Sequence, residues 1–166
     1  MLKVTKINLP FLDSDITGFQ SGDKLLLSGK LITARDAAHQ KIKTALLNSD
    51  KLPFDLAAFT MYYCGPTPAK EGYPIGSCGP TTSSRMDVYV PLLLQHGLRY
   101  MIGKGNRSKE VIQHIKAHNG LYMIAIGGAG AFYAERVKSC NCIAYPELGP
   151  EAVYELEIID FPVYIP

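Results

Sequence analysis

Nothing in this chain of 166 residues is apolar over a length that could cross a bilayer. Nor does its charge call for a polyanion: 17 basic against 15 acidic residues leave +2, too little to argue for nucleic acid or an anionic membrane as partner. The opening Met1-Leu-Lys-Val-Thr-Lys-Ile lacks the apolar stretch and small-residue cleavage site of a signal peptide, so the expectation is a cytoplasmic protein. Tryptophan is absent. Cysteine occurs at 64, 78, 140 and 142, too sparsely for a disulfide scaffold of this size. Cys140-Asn-Cys142 has one intervening residue where a zinc hook has two to four, and reads as two thiols on one face of a buried strand. Gly103-Lys-Gly-Asn106 lacks the Walker spacing. Gly127-Gly-Ala-Gly130 lacks the acidic residue of a dinucleotide fingerprint. Linkers, repeats and low-complexity tracts are also missing, which leaves one domain over 1–166, with 47% hydrophobic residues to build its core.

What is present is one arrangement in three places. Gly29-Lys-Leu-Ile-Thr33-Ala-Arg35-Asp36, Gly79-Pro-Thr81-Thr82-Ser-Ser-Arg85 and Gly103-Lys104-Gly-Asn-Arg107-Ser108 each set a Gly- or Thr-rich turn before an expected helix, with a basic side chain at its start. Helix N-termini present unpaired N–H groups and partial positive charge, and a neighbouring Arg or Lys makes such a place suitable for a carboxylate or phosphate. The same residues also serve as ordinary caps.

The periodicity predicts strands over 4–9, 23–28, 55–63, 99–102, 121–126, 140–144 and 152–159. Helices are expected over 34–48, capped by Thr33, then over 84–96, 108–118 and a short one from 130. Residues 64–83 form a Gly- and Pro-rich loop whose length marks it as functional. Strand–helix alternation in the second half implies an α/β layer fold with parallel pairing, and the strand-rich first thirty residues an additional β layer.

The hydroxyls and Arg85 in Gly79-Pro-Thr81-Thr82-Ser-Ser-Arg85 carry the most chemistry. An Arg takes a carboxylate with two parallel hydrogen bonds. A Thr hydroxyl acts as a base only when its proton leaves to a neighbour or positive charge stabilises the alkoxide. Arg35 and Lys104 supply that field if they converge. Asp36 buttresses Arg35 or orients His39, three residues on.

Taken together, the blocks Ser28-Gly-Lys-Leu-Ile-Thr-Ala-Arg-Asp-Ala-Ala-His39, Tyr63-Cys-Gly-Pro66, Gly79-Pro-Thr-Thr-Ser-Ser-Arg-Met86, Gly103-Lys-Gly-Asn-Arg107 and Asp160-Phe-Pro162 resemble the beta subunit, or C-terminal domain, of iron–sulfur (class I) fumarate hydratases and L-tartrate dehydratases. They follow the family's order across nearly the whole chain. The resemblance implies a swivelling β/β/α three-layer domain of the α/β class. It implies a hydro-lyase that adds water reversibly to a dicarboxylate double bond. A [4Fe–4S] cluster would be bound by an alpha subunit and not by this chain, so a hetero-oligomer is expected. Carried over by motif, Thr81 would be the catalytic base. Arg35, Arg85 and Lys104 would bind substrate, with Asp36, His39, Thr82 and Arg107 in support. Pro146-Glu-Leu-Gly-Pro-Glu-Ala152 is closer to the fumarase branch, although Pro150 stands where such fumarases often have Met. L-tartrate or mesaconate-type substrates, or a noncatalytic dicarboxylate-binding module, are the alternatives.

Overall fold

The structure, a computed structural model, describes residues 2–166. Seven strands, β1 (Val4–Asn8), β2 (Lys24–Thr33), β3 (Thr60–Tyr62), β4 (Tyr100–Gly103), β5 (Leu121–Ile124), β6 (Val137–Ala144) and β7 (Val153–Tyr164), share one mixed sheet. Four α-helices accompany them: α1 (Asp36–Leu47), α2 (Val90–Gln95), α3 (Lys109–Ala117) and α4 (Gly130–Ala134). None of the helices is long and apolar enough to cross a membrane.

The pairing returns on itself. β2, β3, β4 and β5 run parallel, β5 touches β7 at Ile124–Tyr164, and β7 lies antiparallel to β2 along most of its length. Alternation along the strands sorts side chains between two cores. Tyr62, Ile102 and Met123 point inward, with Leu25, Leu27, Leu31, Leu156, Ile158 and Phe161. Their neighbours Met61, Tyr63, Met101 and Tyr122 point outward, where Ala38 and Ile42 of α1, Leu93 and Leu94 of α2, and Val111 and Ile115 of α3 cover them. α4 lies on the other core through Tyr133, whose hydroxyl donates to the Pro162 carbonyl at 2.8 Å.

Several elements depart from the sequence reading. The first thirty residues build no separate sheet; β1 and β2 hydrogen-bond into the common one. β2 runs straight through Gly29 to Thr33, because a register shift beside Gly29 absorbs the irregularity. Gly29 has φ +123°, and a Cβ there would press the Leu9 carbonyl oxygen at 3.0 Å. Thr33 therefore caps no helix; its hydroxyl accepts from the Tyr154 N–H at 3.2 Å. The helix expected over 84–96 is split into a 3-10 turn, Ser83–Met86, and α2, whose first turn holds Pro91. Proline has no N–H to extend a helix behind it. The strand expected over 55–63 shrinks to Thr60–Tyr62, and the last strand lengthens to Tyr164. β6 is the sheet's edge, so Cys140 is half-buried and Cys142 exposed rather than both buried.

Candidate active site

Parallel strands open toward the helices at their carboxyl ends, where loops gather side chains from distant sequence. β2 ends at Thr33 and delivers Arg35 and Asp36 to this edge. β3 ends at Tyr62, and the Tyr63 carbonyl accepts from the Thr81 N–H at 2.7 Å. β4 ends at Gly103 and delivers Lys104. A single bridge joins Thr82 to Lys104, and the Lys104 carbonyl accepts from the Ser83 N–H at 2.9 Å.

At the centre is the Asp36 carboxylate. Arg85 donates to it through Nε at 2.9 Å and Nη2 at 3.1 Å, a two-pronged pairing. Arg35 Nε donates to the same carboxylate at 3.3 Å and lies 3.5 Å from Glu151. These two arginines hold the Asp36 carboxyl at about 2, well below its usual value, with the Arg85 hydrogen bond the largest cause. Arg85 Nη2 also donates to the Thr81 hydroxyl oxygen at 2.7 Å. Thr81 is thus an acceptor on one side, with its own hydrogen free to point away, and the adjacent guanidinium favours the deprotonated oxygen. Arg35, Asp36, Thr81 and Arg85 form one contact chain. Lys104 joins it through backbone, its stem lying over Gly127, where a Cβ would sit 2.9 Å from Lys104 Cδ.

The supporting residues separate. His39 is fully buried beneath the cluster, and its Nδ1 bonds the Arg35 carbonyl at 2.8 Å. A carbonyl only accepts, so Nδ1 carries the proton and Nε2, which has no partner, is bare. Burial is the largest cause that lowers the His39 pKa, to about 4. Thr82 precedes the 3-10 turn without a side-chain cap. Arg107 lies inside, away from the cluster. Its Nε pairs with Asp87 at 2.8 Å, Nη1 donates to the Tyr63 hydroxyl at 2.8 Å, and Nη2 to the Ser83 carbonyl at 3.3 Å. It clamps the Thr81 turn to β3.

The idea of three helix N-termini closing on one anion is corrected by their caps. At α1 the Ala37 N–H donates to Glu151 of this same chain at 3.0 Å. The middle turn opens only a 3-10 helix. At α3, Ser108 caps Val111 at 3.2 Å and Asp87 accepts from the Ser108 N–H at 2.9 Å. Arg35 and Arg85 still meet, on the Asp36 carboxylate, without free helix ends. Sequence reasoning gave no site role to Glu151, Asp87 or Tyr63. Tyr63 stands in a quoted motif, but no spacing announces partners as distant as Arg107.

The cluster sits on open surface. Arg85 and Asp36 side chains are 43% and 39% exposed. A cleft of about 690 Å³ lies elsewhere, between loop residues Thr67–Ser77 and α4.

The sequence model of the family described as "Fumarase C-terminus" matches residues 2–166. The chain belongs to that family. It is 45% identical over 152 residues to "Fumarate hydratase 2" of Leishmania major, a match that covers 90% of this chain and 27% of that protein. It is 42% identical over 154 residues to "Fumarate hydratase class I, aerobic" of Escherichia coli strain K12, covering 92% of this chain and 28% of the other. A Methanocaldococcus jannaschii protein named "Putative L(+)-tartrate dehydratase subunit beta" is 39% identical over 152 residues, which is 89% of this chain and 78% of that one. The Fumarase C-terminus domain seen here thus spans about a quarter of the fumarate hydratases it matches.

Proposed function

We propose that this chain is the beta-subunit half of a hydro-lyase that interconverts fumarate and L-malate, swivelling over an alpha subunit that carries the [4Fe–4S] cluster. The observation that carries the reading is the Asp36–Arg85–Thr81 chain, in which a guanidinium anchored by one carboxylate donates to a hydroxyl at 2.7 Å. Abstracting the weakly acidic proton beside a carboxylate needs a base and cations aimed at the charge that develops. Thr81 Oγ1 is the base of this proposal, its alkoxide favoured by Arg85. Arg35, Arg85 and Lys104 hold the substrate carboxylates and stabilise the enediolate-like state. Asp36 fixes the angle of Arg85, and His39 holds the Arg35 carbonyl.

This chain's own thiols do not fit the cluster. A cluster needs several convergent thiolates. Cys64 and Cys78 face each other in the core, the Cys64 thiol is pushed up by its Cys78 contact and by burial, and Cys142 is exposed on the sheet edge. Among the described residues no group of three or more His, Cys, Asp or Glu is placed to hold a metal. The open surface position of the charged residues fits a site completed by a second body.

Fumarate is favoured over tartrate by the higher identity to proteins named fumarate hydratase, 45% and 42% against 39%. The test is anaerobic co-expression with the alpha subunit, followed by ultraviolet assay of fumarate. Activity that requires both chains, and that Arg85→Ala lowers by about 2–5 kcal/mol in kcat/KM, supports the reading. Dehydration of L-tartrate with no action on fumarate moves the substrate. A chain that binds malate but forms no complex favours the binding module.

A further inference from the structure

The strongest chemistry that the hydratase reading leaves unused is the pair Cys64 and Cys78. Their sulfurs stand 3.5 Å apart, in hydrogen-bonding contact, both in the core. They are also the two posts of the long loop's neck. Between them the loop closes on itself through Thr67 N–H to Ser77 O at 3.0 Å, Gly76 N–H to Thr67 O at 3.1 Å, and Ser77 N–H to the Thr67 hydroxyl at 2.7 Å. Cys78 is fixed from both sides: its carbonyl accepts from the Tyr62 hydroxyl at 2.8 Å, and its N–H donates to Gly130 O at 3.1 Å.

We propose that Cys64 and Cys78 are a dithiol modification site, which a peroxide converts to a disulfide that closes the neck of the 64–78 loop covalently. One thiolate attacks a peroxide oxygen; the O–O bond breaks, a sulfenic acid forms and one water leaves. The second thiolate attacks that sulfur; the S–O bond breaks, the S–S bond forms and a second water leaves. Two electrons pass from the thiol pair to one peroxide, and both thiol protons end in water. The sulfurs need only a small approach, because they already touch and their chain positions flank a closed loop. Burial sets the rate. Cys64 and Cys78 are 1% and 0% exposed, so a peroxide does not reach either sulfur while the fold is closed. Oxidation therefore waits for the loop to open along the clefts that line both of its sides, at Thr67–Ser77 and at Pro66–Ile75. Once formed, the bond ties the segment that follows β3 to the one that leads into Thr81.

The proposal is independent of which dicarboxylate, if any, the chain handles. The test is hydrogen peroxide treatment of the purified chain, then alkylation of remaining thiols and non-reducing peptide mapping. The expected result is a Cys64–Cys78 cross-link that dithiothreitol reverses, with protease cleavage between 66 and 77 slowed at least tenfold. The Cys140→Ser/Cys142→Ser double variant, which keeps both core thiols, should form the same link. Cys64→Ser should form no such link; if it fails to fold, the map of the wild-type chain still decides. Links confined to Cys140 or Cys142, sulfinic acid at Cys64 or Cys78 without a cross-link, or four free thiols after treatment that denaturant then makes reactive, would each overturn the proposal.

Discussion

Asp36 shows how one residue sets the charge of the whole cluster. Two arginines share its carboxylate and Glu151 lies 3.5 Å from Arg35, so the charges of this cluster are held in mutual pairs beside Thr81. Its depressed pKa gives stability that is complete above about pH 4 and is lost as the pH falls toward 2. His39 acts in a different window. Its folded value of about 4 lies below the ordinary 6.5, so between these values the unfolded chain binds the extra proton. Stability therefore falls as pH drops from 6.5 toward 4, by a total on the order of 3 kcal/mol. Urea unfolding at pH 7 and pH 4.5 should show this loss, and His39→Gln, which keeps a donor for the Arg35 carbonyl but does not titrate, should flatten it. A loss unchanged in His39→Gln would assign the effect elsewhere. At Thr81 the proposal separates hydroxyl from methyl. In the reconstituted enzyme Thr81→Ala should lower kcat by about 10²–10⁴-fold, the range for a positioned base. Thr81→Ser should retain most of it, and equal losses in both would remove Thr81 Oγ1 from the proton-transfer role.

At the scale of elements, two turns must stay in register for the site to exist: the one that carries Thr81 and the one that carries Lys104. Gly103 and Gly127 test this from opposite sides. A Cβ on Gly103 would collide with the Ser83 hydroxyl and would sit 2.7 Å from the Tyr63 ring, both inside the core. Gly103→Ala should cost about 1–3 kcal/mol in unfolding free energy, the range for overpacking. A Cβ on Gly127 meets only the flexible stem of Lys104 at 2.9 Å. Gly127→Ala should leave the Tm nearly unchanged and raise KM by displacing the Lys104 amine; thermal scans beside kinetics separate the two. The same elements show what the sequence could and could not reveal. The short parallel strands and the helix beginning near 108 were legible from local spacing, because a strand end and a helix start are local events. Thr33 was misread as a cap because nothing local says that β2 continues through Gly29; its partner, β7, lies more than a hundred residues away. The split of the 84–96 helix was legible in Pro91 and passed over. Arg35, Arg85, Thr81 and Asp36 were picked out by motif. That Asp36 would hold Arg85 across 49 residues, or that Glu151 would cap α1, depends on chain closure that no spacing encodes.

Over the whole molecule, the stable part and the reactive part lie in different places. Folding rests on the ring of pairings from β2 through β5 to β7 and on the apolar side chains it encloses. The charged cluster lies outside that ring, at the strand ends, on open surface. Apolar side chains stand close to it in sequence and remain uncovered: Val88, just past Arg85, is 75% exposed, and Ile126, beside the Gly127 that Lys104 crosses, is 49% exposed. Uncovered apolar side chains suit the interface with a second body that the proposed function calls for, since burying them there removes apolar surface from water. The two parts should therefore respond to mutation separately. Phe161→Ala empties a fully buried position inside the ring and should cost about 3–5 kcal/mol in unfolding free energy. Val88→Glu changes an exposed position and should alter stability by no more than about 0.5 kcal/mol. In a pull-down with the alpha subunit, Val88→Glu should lose the complex that the wild-type chain retains. If Val88→Glu binds as tightly as the wild-type chain, the docking face must lie on another side of the molecule, and the cluster would then have to work uncovered.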